Sequence, residues 1–206
     1  AYLVMEYIET GGGAAGVMQQ FGRQLANMHR YCNERFGWHR DNTIGSTQQI
    51  NDWSDNWLDF WREHRLGFQL ELAARNGAGR GLQAKGEQLM QQMHQLFSNY
   101  QPLASILHGD LWSGNYTISR DAEPVIFDPA VYYGDREADL AMTELFGGFS
   151  HDFYAAYDET WPIDPGYKVR KTFYNLYHIL NHFNLFGGGY AGQAQGMIER
   201  LLSELK

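Results

Sequence analysis

Residues 105–128 hold a short apolar run, a polar loop and two strand-like segments, and few folds can accommodate that succession. Residues 105–107 are mostly apolar and lead into His108-Gly109-Asp110-Leu111-Trp112-Ser113-Gly114-Asn115. Two short strands follow over residues 116–119 and 125–128, joined by Arg120-Asp121-Ala122-Glu123, which has hairpin-turn chemistry. Asp110 and Asn115 lie five residues apart on one loop, and Asp128 comes thirteen residues after Asn115. A hairpin of that length folds back on itself and returns Asp128 beside Asn115, so three oxygen-bearing side chains converge. Such a set suits phosphoryl transfer. One carboxylate can orient a hydroxyl and take its proton, while an Asn oxygen and a second carboxylate are hard ligands for magnesium.

Around this centre the chain reads as mostly helical, of the α+β class. Val17, Phe21, Leu25 and Met28 recur at helical spacing as far as about Tyr31, and residues 37–45 read as a loop. Residues 51–76 are expected to be mostly helical, with Trp53, Trp57, Phe60 and Trp61 on one side; the tryptophan stripe reads as core. A glycine-punctuated break precedes a helix striped by Leu82, Leu89, Met93 and Leu96 and ended by Pro102. From Asp139 onward the chain is helical again, with Asp164-Pro165 as a cap and first-turn pair and Gly187-Gly188-Gly189 as a stop. The expectation is one helical domain with one small hairpin.

Composition narrows the function classes. A chain of 206 residues with 44% hydrophobic content can bury one good core. Its 16 basic and 24 acidic residues give a formal charge of −8, which disfavours nucleic-acid partners. No apolar run approaches the roughly 18 residues that cross a bilayer, so no membrane role is expected. The single cysteine, Cys32, excludes an internal disulfide and suits a reducing cytoplasm. Residues 1–8 (AYLVMEYI) read as a buried strand with nothing before it to pair with, so the chain is expected to begin inside a larger protein.

The loop, the hairpin and the second aspartate resemble the catalytic loop and metal-binding Asp of the protein-kinase and aminoglycoside-phosphotransferase superfamily, and the His-Gly-Asp form resembles that of its small-molecule kinases. The resemblance implies the C-terminal helical lobe of a protein-kinase-like fold, with Asp110 as catalytic base and Asn115 and Asp128 as magnesium ligands. It implies that Asp139, within Gly134-Asp135-Arg136-Glu137-Ala138-Asp139-Leu140, braces the catalytic loop through its backbone. Leu3-Val4-Met5-Glu6-Tyr7-Ile8 is similar to the kinase hinge, with Met5 as gatekeeper and the Glu6 carbonyl and Ile8 amide facing adenine. Residues 9–206 would then be the catalytic and substrate-binding lobe. The nucleotide lobe, with its glycine-rich loop, Lys and Glu, would lie upstream of Ala1, leaving the isolated lobe inactive.

Aromatic-rich stretches narrow the resemblance to the fructosamine kinase family. They are Phe36-Gly37-Trp38-His39, Asn51-Asp52-Trp53 with Trp57 and Phe60-Trp61-Arg62, Trp112, Phe146-Gly147-Gly148-Phe149, and residues 177–184. That family implies ATP and magnesium as cofactors and a ketosamine, small or protein-bound, as the substrate phosphorylated on its sugar 3-hydroxyl, which labilises the adduct. Trp112, His108, His178 and His182 are the substrate-binding candidates, an indole face being suited to a sugar or an amine-bearing adduct. An aminoglycoside or choline phosphotransferase, or a non-catalytic lobe of the same fold, is the alternative.

Three further signals read as bland. Gly11, Gly13 and Gly16 fit a dinucleotide pattern, but no second parallel strand follows within thirty residues, so they read as a connector. His178 and His182 sit four apart on a helix without the Glu or third ligand of a zinc site. Cys32 with His29 reads as a buried thiol on an apolar helix face rather than a nucleophile pair.

Overall fold

The computed structural model describes residues 6–13 and 15–205. Helix α1 (Val17–His29) turns its Val17, Phe21, Leu25 stripe inward. Next come strand β1 (Cys32–Asn33) and a hairpin of β2 (Asn42–Ile44) with β3 (Thr47–Gln49). Helix α2 (Trp57–Trp61) runs through a π-helical stretch, Arg62–Gly67, into α3 (Phe68–Arg75). Helix α4 (Arg80–Gln92) tightens into a 3₁₀ turn, Met93–Phe97, before β4 (Ala104–Leu107). The central hairpin is β5 (Tyr116–Ile118) with β6 (Pro124–Ile126), followed by β7 (Tyr132–Gly134). Helices α5 (Arg136–Leu145), α6 (His151–Thr160), α7 (Tyr167–Phe186) and α8 (Tyr190–Glu204) complete the chain. Among the described residues no helix is long and apolar enough to cross a membrane.

The larger core gathers Trp57, Phe60 and Trp61 with Phe173, Tyr174, Leu176 and Leu180 of α7 and Ile198 of α8. A smaller one joins Phe21 and Leu25 of α1 to Phe153 and Tyr157 of α6, Leu140 of α5, and Leu111. Leu111 is 0% exposed, so the polar loop is pinned by an apolar side chain in its middle.

Several expectations change. Residues 51–76 are helical only from Trp57, because the Asn56 side chain accepts from the Leu58 and Asp59 amides at 2.8 and 3.1 Å and caps the helix there. Asp135 likewise starts α5 three residues ahead of the expected Asp139 by accepting from the Glu137 amide at 3.0 Å. The single expected hairpin is joined by β2–β3, whose first strand falls in residues read as loop, and by the antiparallel sheet β1–β4–β7. Strands of two to four residues hold too few alternations for a period of two to show.

Of the expected strand over residues 1–8, Met5 lies outside the described residues, and Glu6, Tyr7 and Ile8 take no regular structure. Pairing begins at Thr10, bridged to Ser119, and the Gly11 amide donates to Ile118 O at 2.9 Å. A Cβ at Gly11 would lie 2.6 Å from Ser119 O, so the first glycine of the discounted motif allows the chain to approach the hairpin. Cys32 is corrected too: it sits exposed on β1, while His29 points into the interior.

Candidate active site

Loop 108–115 descends from β4 and is fixed from below by one carboxylate. Asp139 on α5 accepts from the His108 amide at 2.7 Å through Oδ2 and from the Gly109 amide at 2.8 Å through Oδ1. His29 Nε2 stands 3.2 Å from the same Oδ2, and its Nδ1 lies 2.7 Å from the Tyr157 hydroxyl. Burial alone would push the Asp139 carboxyl up; hydrogen bonding from His29, its charge and the Gly109 amide overcome that and hold it below the usual carboxylate range. Gly109 takes φ +83°, and a Cβ there would meet Ala130 O at 2.1 Å. Only glycine fits where loop and return strand touch.

The His108 ring is buried. Its Nδ1 accepts from the Asp110 amide at 3.3 Å and its Nε2 lies 2.9 Å from Phe127 O, a pattern that assigns the neutral Nε2–H tautomer. Burial lowers its pKa, in keeping with that neutral form. His108 therefore ties Asp110 to the residue before Asp128. His108 does not line the cavity that Trp112, His178 and His182 share.

Asp110, Asn115 and Asp128 meet around this tie. Asn115 Nδ2 donates to Asp110 O at 2.9 Å and to Asp110 Oδ2 at 3.3 Å, and the Phe127 amide donates to Asn115 O at 3.1 Å. Burial, with the negative charges of Asp128 and Asp139 adding to it, raises the Asp110 carboxyl to about 6. Asp128 is exposed and adopts φ 57°, in the left-handed region that costs a non-glycine residue energy. The bend turns its carboxylate out of the hairpin.

Two cavities open against this unit. One, of about 390 Å³, is lined by Asp110, Trp112, Met142, Phe146, His178 and His182, among others, and is roofed by Ile44 and Gly45 at the tip of β2–β3. Trp112 lies flat over Gly114, where a Cβ would come within 2.3 Å of its ring. It meets Phe146 edge-on at 6.0 Å. Burial pushes the His178 imidazole down to about 3, so it lines the wall as a neutral ring. The other cavity, of about 600 Å³, is lined by Asp128, Phe127, Ile126, Val125, Thr117, Glu6 and Ile8. The expected hinge residues Glu6 and Ile8 thus share a cavity with Asp128, and Asp110 shares the other with Trp112, His178 and His182.

Among the described residues no cluster of three His, Cys, Asp or Glu side chains could cage a metal. The donors present are the Asn115 amide oxygen, which accepts no hydrogen bond from a described residue, and the Asp128 carboxylate. Two protein oxygens suit magnesium, which is typically held by one or two protein ligands together with phosphate oxygens and water.

Some contributors are invisible in the sequence. Gln49, between the residues read as loop and those read as helix, donates to Ala130 O at 3.0 Å while the Ala130 amide donates to His108 O at 2.8 Å, tying the β2–β3 roof to the loop. His29 was visible only as a neighbour of Cys32; its place at the buried end of the Phe21, Leu25 stripe was the signal for a core brace. Neither His178 nor His182 has a metal partner among the described residues.

Residues 1–204 match the family model described as Fructosamine kinase. The chain is 52% identical over 203 residues to “Probable ketoamine kinase” of Synechocystis, covering 98% of this chain and 68% of that protein. It is 46% identical over 208 residues to “Protein-ribulosamine 3-kinase, chloroplastic” of Arabidopsis thaliana, covering all of this chain and 63% of that protein. The crystal structure of “Putative fructosamine-3-kinase” from Thermobifida fusca superposes with a TM-score of 0.89 at 32% identity, covering 97% of this chain and 69% of that one. The chain therefore spans roughly two thirds of the length of these relatives.

Proposed function

The chain belongs to the fructosamine kinase family, and from that premise we propose that it carries the catalytic loop and acceptor site of an ATP-dependent kinase acting on the sugar 3-hydroxyl of fructosamines and ribulosamines. The observation that carries the reading is the partition of the two carboxylates. One loop-and-hairpin unit presents Asp110 to an aromatic cavity and Asp128 to a second, distinct cavity. An acceptor and a phosphoryl donor must approach one point from two sides, and this arrangement suits that need.

In this reading Asp110 receives the hydrogen bond of the acceptor hydroxyl, orients its oxygen and takes its proton as phosphate transfers. A carboxyl near 6 is close to the working pH, where a general base is most effective. Asn115 holds the Asp110 carboxylate by its amide nitrogen and offers its oxygen to magnesium, with Asp128 as the second ligand. Magnesium–ATP, when bound, supplies the phosphoryl group and offsets its charge. Trp112 and Phe146 cover the sugar and its ammonium. Glu6 and Ile8 line the nucleotide side as a hinge, with Met5 assigned there by resemblance. The reading takes residues 9–206 as the catalytic and substrate-binding lobe and places the phosphate-gripping glycine loop and Lys in polypeptide outside residues 1–206, as the relatives' greater length allows. It places the reaction in the cytoplasm, a compartment that keeps the exposed lone thiol of Cys32 reduced.

The test is phosphate transfer from ATP with magnesium, by the full-length polypeptide that carries this chain, to a ribulosamine, a fructosamine, an aminoglycoside and choline. Transfer to a ketosamine alone is expected. Transfer to the aminoglycoside or choline with none to either ketosamine would replace the reading with another phosphotransferase of the same fold.

A further inference from the structure

The aromatic wall beside Asp110 does not end at the sugar. Trp112 meets Phe146 at 6.0 Å, Phe146 meets the His182 ring at 4.9 Å, and His182 meets Phe186 at 5.7 Å and Tyr190 at 5.2 Å. These contacts form a ladder of rings that starts at Asp110 and leaves the cavity along the last turns of α7 and the first residue of α8. Phe186, at its outer end, lines the cavity mouth and is 70% exposed. Phe186 thus carries the aromatic lining of the cavity out to its mouth, and ligand pockets are lined predominantly by such side chains. The charge pattern points the same way. Asp110 is the one Asp, Glu, Lys or Arg among the described residues lining this cavity.

We propose that this ladder is the subsite for the substituent on the ketosamine nitrogen, and that it takes adducts whose nitrogen carries an uncharged methylene or aryl segment. The inference rests on the ketosamine reading above. A ketosamine has a secondary ammonium between its sugar and its carrier, and ring faces attract such a cation. The segment beyond it gains by covering Phe186 and Tyr190. A carboxylate placed next to the nitrogen would meet no cation here and would face Asp110. The shared chemistry has two sources, a free alkyl or aryl amine and the butyl chain of a peptide lysine.

Sugar adducts of benzylamine, of a lysine within a short peptide and of glycine are compared by kcat/KM in the full-length polypeptide. The benzylamine and lysine adducts are expected to exceed the glycine adduct. The order of those two tells whether free amines or peptides are the source, and either order supports the subsite. Phe186→Ala is expected to shrink that advantage roughly five- to tenfold, the scale of the apolar area one ring covers, mainly through KM. Phe186→Leu, which keeps bulk and loses the ring face, falls between. Equal kcat/KM for all three adducts, or an advantage unchanged in Phe186→Ala, would overturn the subsite and leave the kinase reading standing. Phosphate on none of the three would overturn the kinase reading and the subsite with it.

Discussion

Asp110 occupies an environment that opposes its own charge. It is largely removed from water, with the carboxylates of Asp128 and Asp139 nearby, and its carboxyl is raised to about 6 against an ordinary value of about 3.9. The consequence for stability follows from the sign of that shift. A carboxyl whose folded pKa lies above its unfolded one disfavours folding in its ionised form. Its cost is absent below about pH 4, grows as the pH rises through the interval to about 6, and stays constant above. Asp110→Asn is therefore expected to be more stable than the parent by about 1–3 kcal/mol at pH 8 and equally stable near pH 4. Urea unfolding at the two pH values reads the difference, and an Asn variant less stable at pH 8 would contradict it. The convergence of Asp110, Asn115 and Asp128 was legible in the sequence because their spacing on a loop and hairpin is short-range. The place of His108 was not, since whether a ring faces a cavity or turns inward to Phe127 O depends on the return of a strand nineteen residues away.

Among the elements, α1 shows most clearly how packing overrides local preference. Gly22 sits in mid-helix, where alanine would be favoured by about 1 kcal/mol. Yet a Cβ there would meet Phe153 O at 2.2 Å and the Tyr157 amide at 3.0 Å, so α1 lies directly against the backbone of α6. That approach brings His29 to Asp139 and the Tyr157 hydroxyl to His29. Gly22→Ala is expected to destabilise by about 1–3 kcal/mol in spite of its helix propensity. A gain in denaturation midpoint would show that the two helices can separate without cost. The helices were readable from their periodicity; the π-helical stretch was not. It turns the fully buried Arg65 between the Tyr132 and Phe60 rings, 4.1 and 4.6 Å from their centroids, with its guanidinium donating to Ile50 O and Asn51 Oδ1. A buried arginine in a sequence window looks like a surface arginine; only the tertiary partners distinguish them.

Taken whole, the molecule is two cores with the loop–hairpin unit between them. Leu111 plugs the smaller core, Gln49 and Ala130 tie the loop to the roof, and Asp139 holds it from beneath. Arg170 fastens the far side by pairing with buried Glu137 at 2.7 Å and with Asp164 at 2.6 Å, which locks α7 to α5. Loop 108–115 is thus anchored through its backbone, with Asp110 and Asp128 each lining a cavity, an arrangement that suits the positioning of two reactants. In the proposed reaction Asp110 takes the proton of a ketosamine 3-hydroxyl, and mapping the phosphorylated oxygen checks that role. The full-length polypeptide and its Asp110→Asn variant are given ATP, magnesium and a ribulosamine, and the phosphorylated sugar position is mapped by NMR. Phosphate on the 3-oxygen in the parent, falling at least about a hundredfold in the variant, is the predicted result. Undiminished transfer by Asp110→Asn, or phosphate on another oxygen, would contradict it.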